Sequence, residues 1–156
     1  MTQGNLLHCA GKSAKGVDMS VHNASCQCGS LSLSSDCEAD ICVACNCKAC
    51  QKRTGSAFAT VAYIRKAAVT IEGDTNSWAR TAESGRDVES FFCPKCGTTV
   101  YWTLDFRPDH VGVLIGAFDG QHPAPTRVVW SSEKQPWVQF PDEMECFPHG
   151  SPTSAK

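Results

Sequence analysis

The chain has 156 residues, with 14 basic and 16 acidic side chains, a formal net charge of −2 at pH 7 and 42% hydrophobic residues. That describes one globular domain, long enough to bury roughly 70% of its unfolded surface without disulfide support. No apolar run approaches the ~20 residues needed to span a bilayer, no secretory signal opens the chain, and Lys and Arg form no basic stripe. The chain is therefore read as cytoplasmic, with neither membrane nor nucleic acid expected as a partner.

Residues 1–20 are polar and Gly-containing with no sustained period, and are read as a flexible leader; 149–156 are read as a flexible, frayed tail, leaving a folded domain over 21–148. Within it the pattern is β. Leu31 and Leu33 alternate with serines, Ile41-Cys42-Val43 reads as a buried strand end, and Phe58 to Ile64 is rich in aromatic and β-branched residues. Lys48 to Thr54 has helix-like composition, two turns at most. Further strands are predicted at Val69–Glu72, Ser77–Thr81, Val88–Phe92, Thr98–Leu104, Val111–Phe118 and Thr126–Trp130. They are separated by turn signals such as Glu72-Gly73-Asp74 and Asp119-Gly120. Many short strands with very little helix predict a mainly β fold, an antiparallel sheet or open barrel. Its core is expected to hold Trp78, Trp102, Trp130, Trp137 and the phenylalanines.

The anomaly is 11 cysteines. In a reducing compartment such a density points to metal ligands rather than disulfides. Cys26 and Cys28 make C-x-C, Cys45, Cys47 and Cys50 make C-x-C-x-x-C, and Cys93 and Cys96 make C-x-x-C within Phe92-Cys93-Pro94-Lys95-Cys96-Gly97. Cys9, Cys37, Cys42 and Cys146 are left over and read as ordinary thiols. Residues i and i+2 of an extended segment point to one side, so Cys26 and Cys28 can converge on one ion. The second pair occupies a tight turn in which Pro94 fixes φ and Gly97 permits a left-handed conformation. Joined, the two pairs make a closed Cys₄ site that clips an early segment to a late hairpin, with zinc the expected metal and iron the chemical alternative.

The central trio differs. Three thiolates with a fourth position open to water or substrate is the arrangement of catalytic zinc. The competing arrangement takes Cys42 as a fourth ligand and closes a second inert site. Just beyond lie Lys52 and Arg53, readable either as an attraction for a carboxylate-bearing thiol or as a solvated face offsetting thiolate charge.

These motifs resemble the glutathione-dependent formaldehyde-activating enzyme family, which also includes centromere protein V-like domains. The match is carried by Cys26-x-Cys28-Gly29, Cys45-x-Cys47-x-x-Cys50 with Gly55 beyond, Phe92-Cys93-x-x-Cys96-Gly97, Gly116-Ala117-Phe118-Asp119 and Trp137, over about residues 22–148. The resemblance implies an antiparallel β-tent type fold with a zinc knuckle. It also implies two zinc ions, one structural on Cys26, Cys28, Cys93 and Cys96 and one catalytic on Cys45, Cys47 and Cys50. The implied activity is that of a carbon–sulfur lyase joining glutathione or a related thiol to formaldehyde or a small carbonyl, with a homodimer as the assembly to test for. Asp119 is the nearest family-motif candidate for a general base, although its position before Gly120 also suits a turn residue. Two positions depart from the common pattern: Asn46 stands where many members have His, and Gln51 where Arg is common. The competing functions are a non-catalytic zinc module with both sites structural, and a methionine sulfoxide reductase-type oxidoreductase. The latter needs a nucleophilic cysteine outside the metal groups, for which Cys37 and Cys146 lack an electropositive setting.

Overall fold

The structure, a computed structural model, describes residues 22–120 and 122–151. In chain order the strands are β1 (His22–Ser25), β2 (Ser32–Ser35), β3 (Ile41–Cys45), β4 (Ala59–Arg65), β5 (Val69–Glu72), β6 (Asn76–Thr81), β7 (Asp87–Phe92), β8 (Thr99–Leu104), β9 (His110–Leu114), β10 (Arg127–Val129) and β11 (Glu145–Cys146). A single α-helix among the described residues, α1 (Lys48–Thr54), follows β3 at the place its composition predicts. The fold is mainly β, 41% strand against 12% helical, as expected.

The strands form two open sheets rather than a barrel: a small one in the order β1-β2-β5 and a large one in the order β11-β10-β3-β4-β9-β8-β7-β6. Pairing is antiparallel except around β10, which runs parallel to both β3 and β11. This departure from an all-antiparallel sheet has a local cause. The strand expected over Val111–Phe118 stops at Leu114, and a 3₁₀ turn over Ile115–Ala117 sends the chain toward the small sheet. There Phe118 bridges Ala24 and the Asp119 N–H donates to the Asn23 carbonyl at 2.9 Å. The chain then returns beside β3 in the same direction.

The large sheet buries side chains on both faces, so its strands show apolar runs rather than simple alternation. One face carries Ile64, Val111 and Val113 against Ala24, Leu31 and Leu33 of the small sheet. The other carries Ala59, Val61, Trp102 and Leu104 against Cys50 of α1. A register shift between Phe91 and Phe92 in the β7–β8 ladder lets Val100 join the first cluster while Trp102 faces the second. Trp102 is buried as expected, but Trp78 and Trp137 are 60% and 74% exposed and are not core residues. Trp78 lies on β6, the last strand of the large sheet, where nothing packs over it.

Cys37 is not the ordinary thiol expected: it is disulfide-bonded, whereas Cys42 and Cys146 are free. Cys9 and the leader 1–20 lie outside the described residues. The segment expected to fray at His149 is tied as far as that residue, where the Trp130 N–H donates to its carbonyl at 2.9 Å. No helix among the described residues is long and apolar enough to cross a membrane.

Candidate metal centres

The sulfurs of Cys26, Cys28, Cys93 and Cys96 lie within 4.8 Å of one another. Two knuckles deliver them. After β1, the Gly29 N–H donates to the Cys26 carbonyl at 2.9 Å, and after β7 the Gly97 N–H donates to the Cys93 carbonyl at 2.9 Å. Gly29 and Gly97 take φ of 74° and 73°, a left-handed backbone that a side chain disfavours. Donors already point at the sulfurs. The Leu31 N–H reaches Cys26 Sγ at 3.3 Å, and Cys96 Sγ lies 3.3 Å from the Thr98 hydroxyl. The Thr98 hydroxyl and then its backbone N–H push the Cys96 thiol down to about 5, and the Ser30 hydroxyl and N–H lower Cys28. Four convergent cysteine sulfurs are a donor set that can hold a metal ion without help from any other group.

The second group, Cys45, Cys47 and Cys50, also has all its sulfurs within 4.8 Å. Cys45 ends β3, Cys47 is the N-cap of α1, and Cys50 lies in the first turn of the helix. The Cys50 N–H donates to Cys47 Sγ at 3.4 Å, so the thiol replaces the usual capping oxygen. Glu133 adds a carboxylate at the same helix end, accepting the Lys48 N–H at 2.6 Å. Hydrogen bonds from Cys45 and then Cys50, helped by the Cys50 N–H and by Arg80, hold the Cys47 thiol far below its ordinary value. Cys45 is raised correspondingly, first by its bond to Cys47.

Cys42 does not complete this group. Side chains alternate along a strand; Val43 and Cys45 face a cavity on one side of β3, while Cys42 packs with Ala62 and Ile115 on the other. Its thiol donates to the Pro123 carbonyl at 3.5 Å and burial pushes it up to about 11. It behaves as the small buried hydrophobe that its Ile-Cys-Val setting suggested.

The trio borders a cavity of about 270 Å³. Arg53, Arg80, Arg86 and Arg107 line it with Lys48, against the single acid Glu83. Trp102, Leu104, Phe106, Val129 and Trp130 give it apolar walls. Most of these residues carry no sequence signal, because they arrive from β6, its hairpin with β7, β8 and the turn before β9. Gly150 and Ser151, placed in the tail by sequence, also line it. Trp130 brings them there: it alone among the described non-glycine residues has positive φ, 56°, and the bend carries the chain to where Ser131 meets Phe147.

Other singled-out residues are structural. Asp119 accepts the Ser25 hydroxyl at 2.7 Å and lines a different concavity, so it joins the two sheets rather than serving the trio as a base. Asn46 is fully buried and its N–H and amide both donate to the Val129 carbonyl, at 3.0 and 3.1 Å, locking β3 to β10. The Gln51 amide donates to the carbonyls of Asn46 and Glu133 and accepts from Gln135. Neither departure from the common motif touches the cavity.

The model of the family described as glutathione-dependent formaldehyde-activating enzyme matches residues 21–133. A solved structure of a Rhodobacter sphaeroides protein is similar at 20% identity and a TM-score of 0.48, covering 65% of this chain and 91% of that one. No curated protein matches. With most of its length matched and both cysteine groups assembled as the motif order requires, the chain belongs to the glutathione-dependent formaldehyde-activating enzyme family.

Proposed function

We propose that the protein is a zinc-dependent carbon–sulfur lyase resembling S-(hydroxymethyl)glutathione synthase, adding a thiol, glutathione or a relative of it, to formaldehyde or a small carbonyl. The observation that carries this reading is the incomplete ligand set: three convergent cysteine sulfurs, no fourth described protein ligand, and an adjoining cavity rich in arginine. An all-sulfur donor set suits zinc. Cys45, Cys47 and Cys50 would hold the catalytic ion, and Cys26, Cys28, Cys93 and Cys96 the structural one. Zinc with three protein ligands supplies Lewis acidity and keeps a sulfur deprotonated at neutral pH.

The chain's own residues do the rest. Arg80, Arg86 and Arg107 present planar cationic forks to the carboxylates of a peptide thiol, fixing where its sulfur lies. Trp102, Leu104, Phe106 and Val129 limit water around the reacting carbonyl. Tyr63 also lines the cavity, and burial pushes its hydroxyl well above the ordinary value, so at neutral pH it keeps its proton and can donate to a developing alkoxide. Thiols add to formaldehyde unaided, so placing the two reactants together and stabilising charge is sufficient. The test is thiol–aldehyde exchange by the zinc-loaded protein and by Cys47→Ser. The expected result is loss of the catalysed rate in the variant; equal turnover by both proteins would sink the reading.

A further inference from the structure

One half-buried charge near the trio is not used by the reading above. Arg53 lies in the last turn of α1, three residues after Cys50, and its Nη2 donates to Cys50 Sγ at 3.4 Å. Its Nη1 donates to Ser90 Oγ at 3.3 Å, and its guanidinium carbon sits 3.5 Å from the centroid of the Trp102 ring. The Nε atom is buried with no hydrogen-bond partner among the described residues. None of the ion pairs among those residues includes Arg53. Burying a guanidinium is costly unless a countercharge meets it, and the countercharge its contacts offer is the sulfur of Cys50. Geometry thus sets one guanidinium fork against one sulfur of the trio, with Ser90 and Trp102 fixing its other sides.

The guanidinium is held in place from behind. Ser90 and Trp102 are register partners across β7 and β8, and both are buried. The Trp102 ring in turn lies over Gly112, where a Cβ would stand 2.5 Å from Nε1. Gly112, Trp102, Arg53 and Cys50 are thus successive layers of one stack. The Cys₄ group has nothing comparable: its sulfurs are met by Leu31, Ser30 and Thr98 donors, all uncharged.

We infer that Arg53 is a positioning residue for the three-cysteine centre: its fork orients the Cys50 sulfur as a ligand and, once an ion is bound, offsets one negative charge, so that an anionic sulfur can enter the fourth position. This rests on the proposed function for what enters, but not for what Arg53 does to the ion. Three thiolates on a divalent ion leave one net negative charge and a fourth would make it two; a cation at hydrogen-bond distance in a partly desolvated site offsets one of these.

The experiment loads the full chain, as wild type, Arg53→Met and Arg53→Lys, with two equivalents of cobalt(II) and lets a chromophoric chelator compete. Arg53→Met is expected to weaken one ion by about 10- to 100-fold and to move its sulfur-to-cobalt charge-transfer band, while the other ion stays within about 2-fold. Arg53→Lys keeps the charge but loses the planar fork, and recovers part of the affinity. The ion on the Cys₄ group reports folding, so equal loosening of both ions overturns the proposal, as does no loosening of either. Titration with 2-mercaptoethanol supplies the fourth ligand; Arg53→Met should need about 10-fold more thiol for the same spectral change, and an equal requirement contradicts the inference. If Arg53→Met does not accumulate, Ser90→Ala removes one anchor of the guanidinium and should loosen the same ion by about 3-fold, an unchanged affinity again overturning the proposal. Affinity is read without turnover, so a protein that shows these shifts but catalyses nothing would refute the proposed function and leave the role of Arg53 standing.

Discussion

The two cysteine groups have the same sulfur spacing but different surroundings. Cys26, Cys28, Cys93 and Cys96 come from two knuckles far apart in sequence, are met by neutral donors, and fill four positions among themselves. Cys45, Cys47 and Cys50 come from six residues at one strand–helix junction, fill three positions, and face a cavity with four arginines. On the proposed function, what would separate a clip from a reaction centre is the missing ligand and the charge of its neighbours, not the chemistry of the sulfur. Loop length follows the same division: closing the long segment between Cys28 and Cys93 restrains the unfolded chain, whereas closing the two residues between Cys47 and Cys50 restrains almost nothing.

The comparison can be broken most forcefully by removing one sulfur from each group. Structural zinc sites contribute apparent binding energies of about 10–16 kcal/mol to folding in small zinc domains, so Cys93→Ser is expected to lose its cooperative thermal transition and both ions. Cys47→Ser is expected to keep the transition and one zinc equivalent. Circular dichroism with metal analysis checks both, and similar melting of the two variants would erase the distinction.

A smaller effect is expected at Gly112. Adding a methyl there pushes into Trp102 and, through it, Arg53, so Gly112→Ala should cost about 1–3 kcal/mol by denaturant melting. It should also loosen the central ion preferentially. Asn46→Ala removes the amide bond that locks β3 to β10 and should cost about 1 kcal/mol while leaving zinc stoichiometry intact. The smallest effect concerns pH. Partial desolvation raises the exposed Asp40 carboxyl, but His110 Nε2 at 2.9 Å and Arg65 Nε at 3.3 Å outweigh this and hold it below its ordinary value. A lowered folded-state value means stabilisation that is complete above the unfolded value near ~4 and is lost as pH falls through the folded one. Asp40→Asn should therefore destabilise by less than about 1 kcal/mol at pH 7, the site being well exposed, and by less still near pH 3.

Much of this was legible in the sequence because metal ligation and turns are local. The C-x-C and C-x-x-C spacings identify both groups, and Lys48–Thr54 is helical as its composition predicts. The exclusion of Cys42 was hinted at by its Ile-Cys-Val setting but not fixed by spacing, because it depends on which face of β3 each residue takes, and that alternation is set by the neighbouring strands. The cavity arginines were equally hidden, since Arg80, Arg86 and Arg107 meet only through long-range pairing of β6 to β9. Composition likewise predicted a core from tryptophan size alone, and failed at Trp78 because a strand at the sheet edge has no layer above it. Parallel pairing of β10 depends on a 3₁₀ turn at Gly116 inside what reads as a continuous strand.

The central claim, that one group is closed and the other open, is tested most directly by zinc K-edge X-ray absorption on the fully loaded protein. The expected first shell averages about 3.5 sulfurs and about 0.5 light atoms per ion, with the light atom replaced by sulfur when a thiol is added. A shell of four sulfurs at both sites before any thiol is added would contradict it.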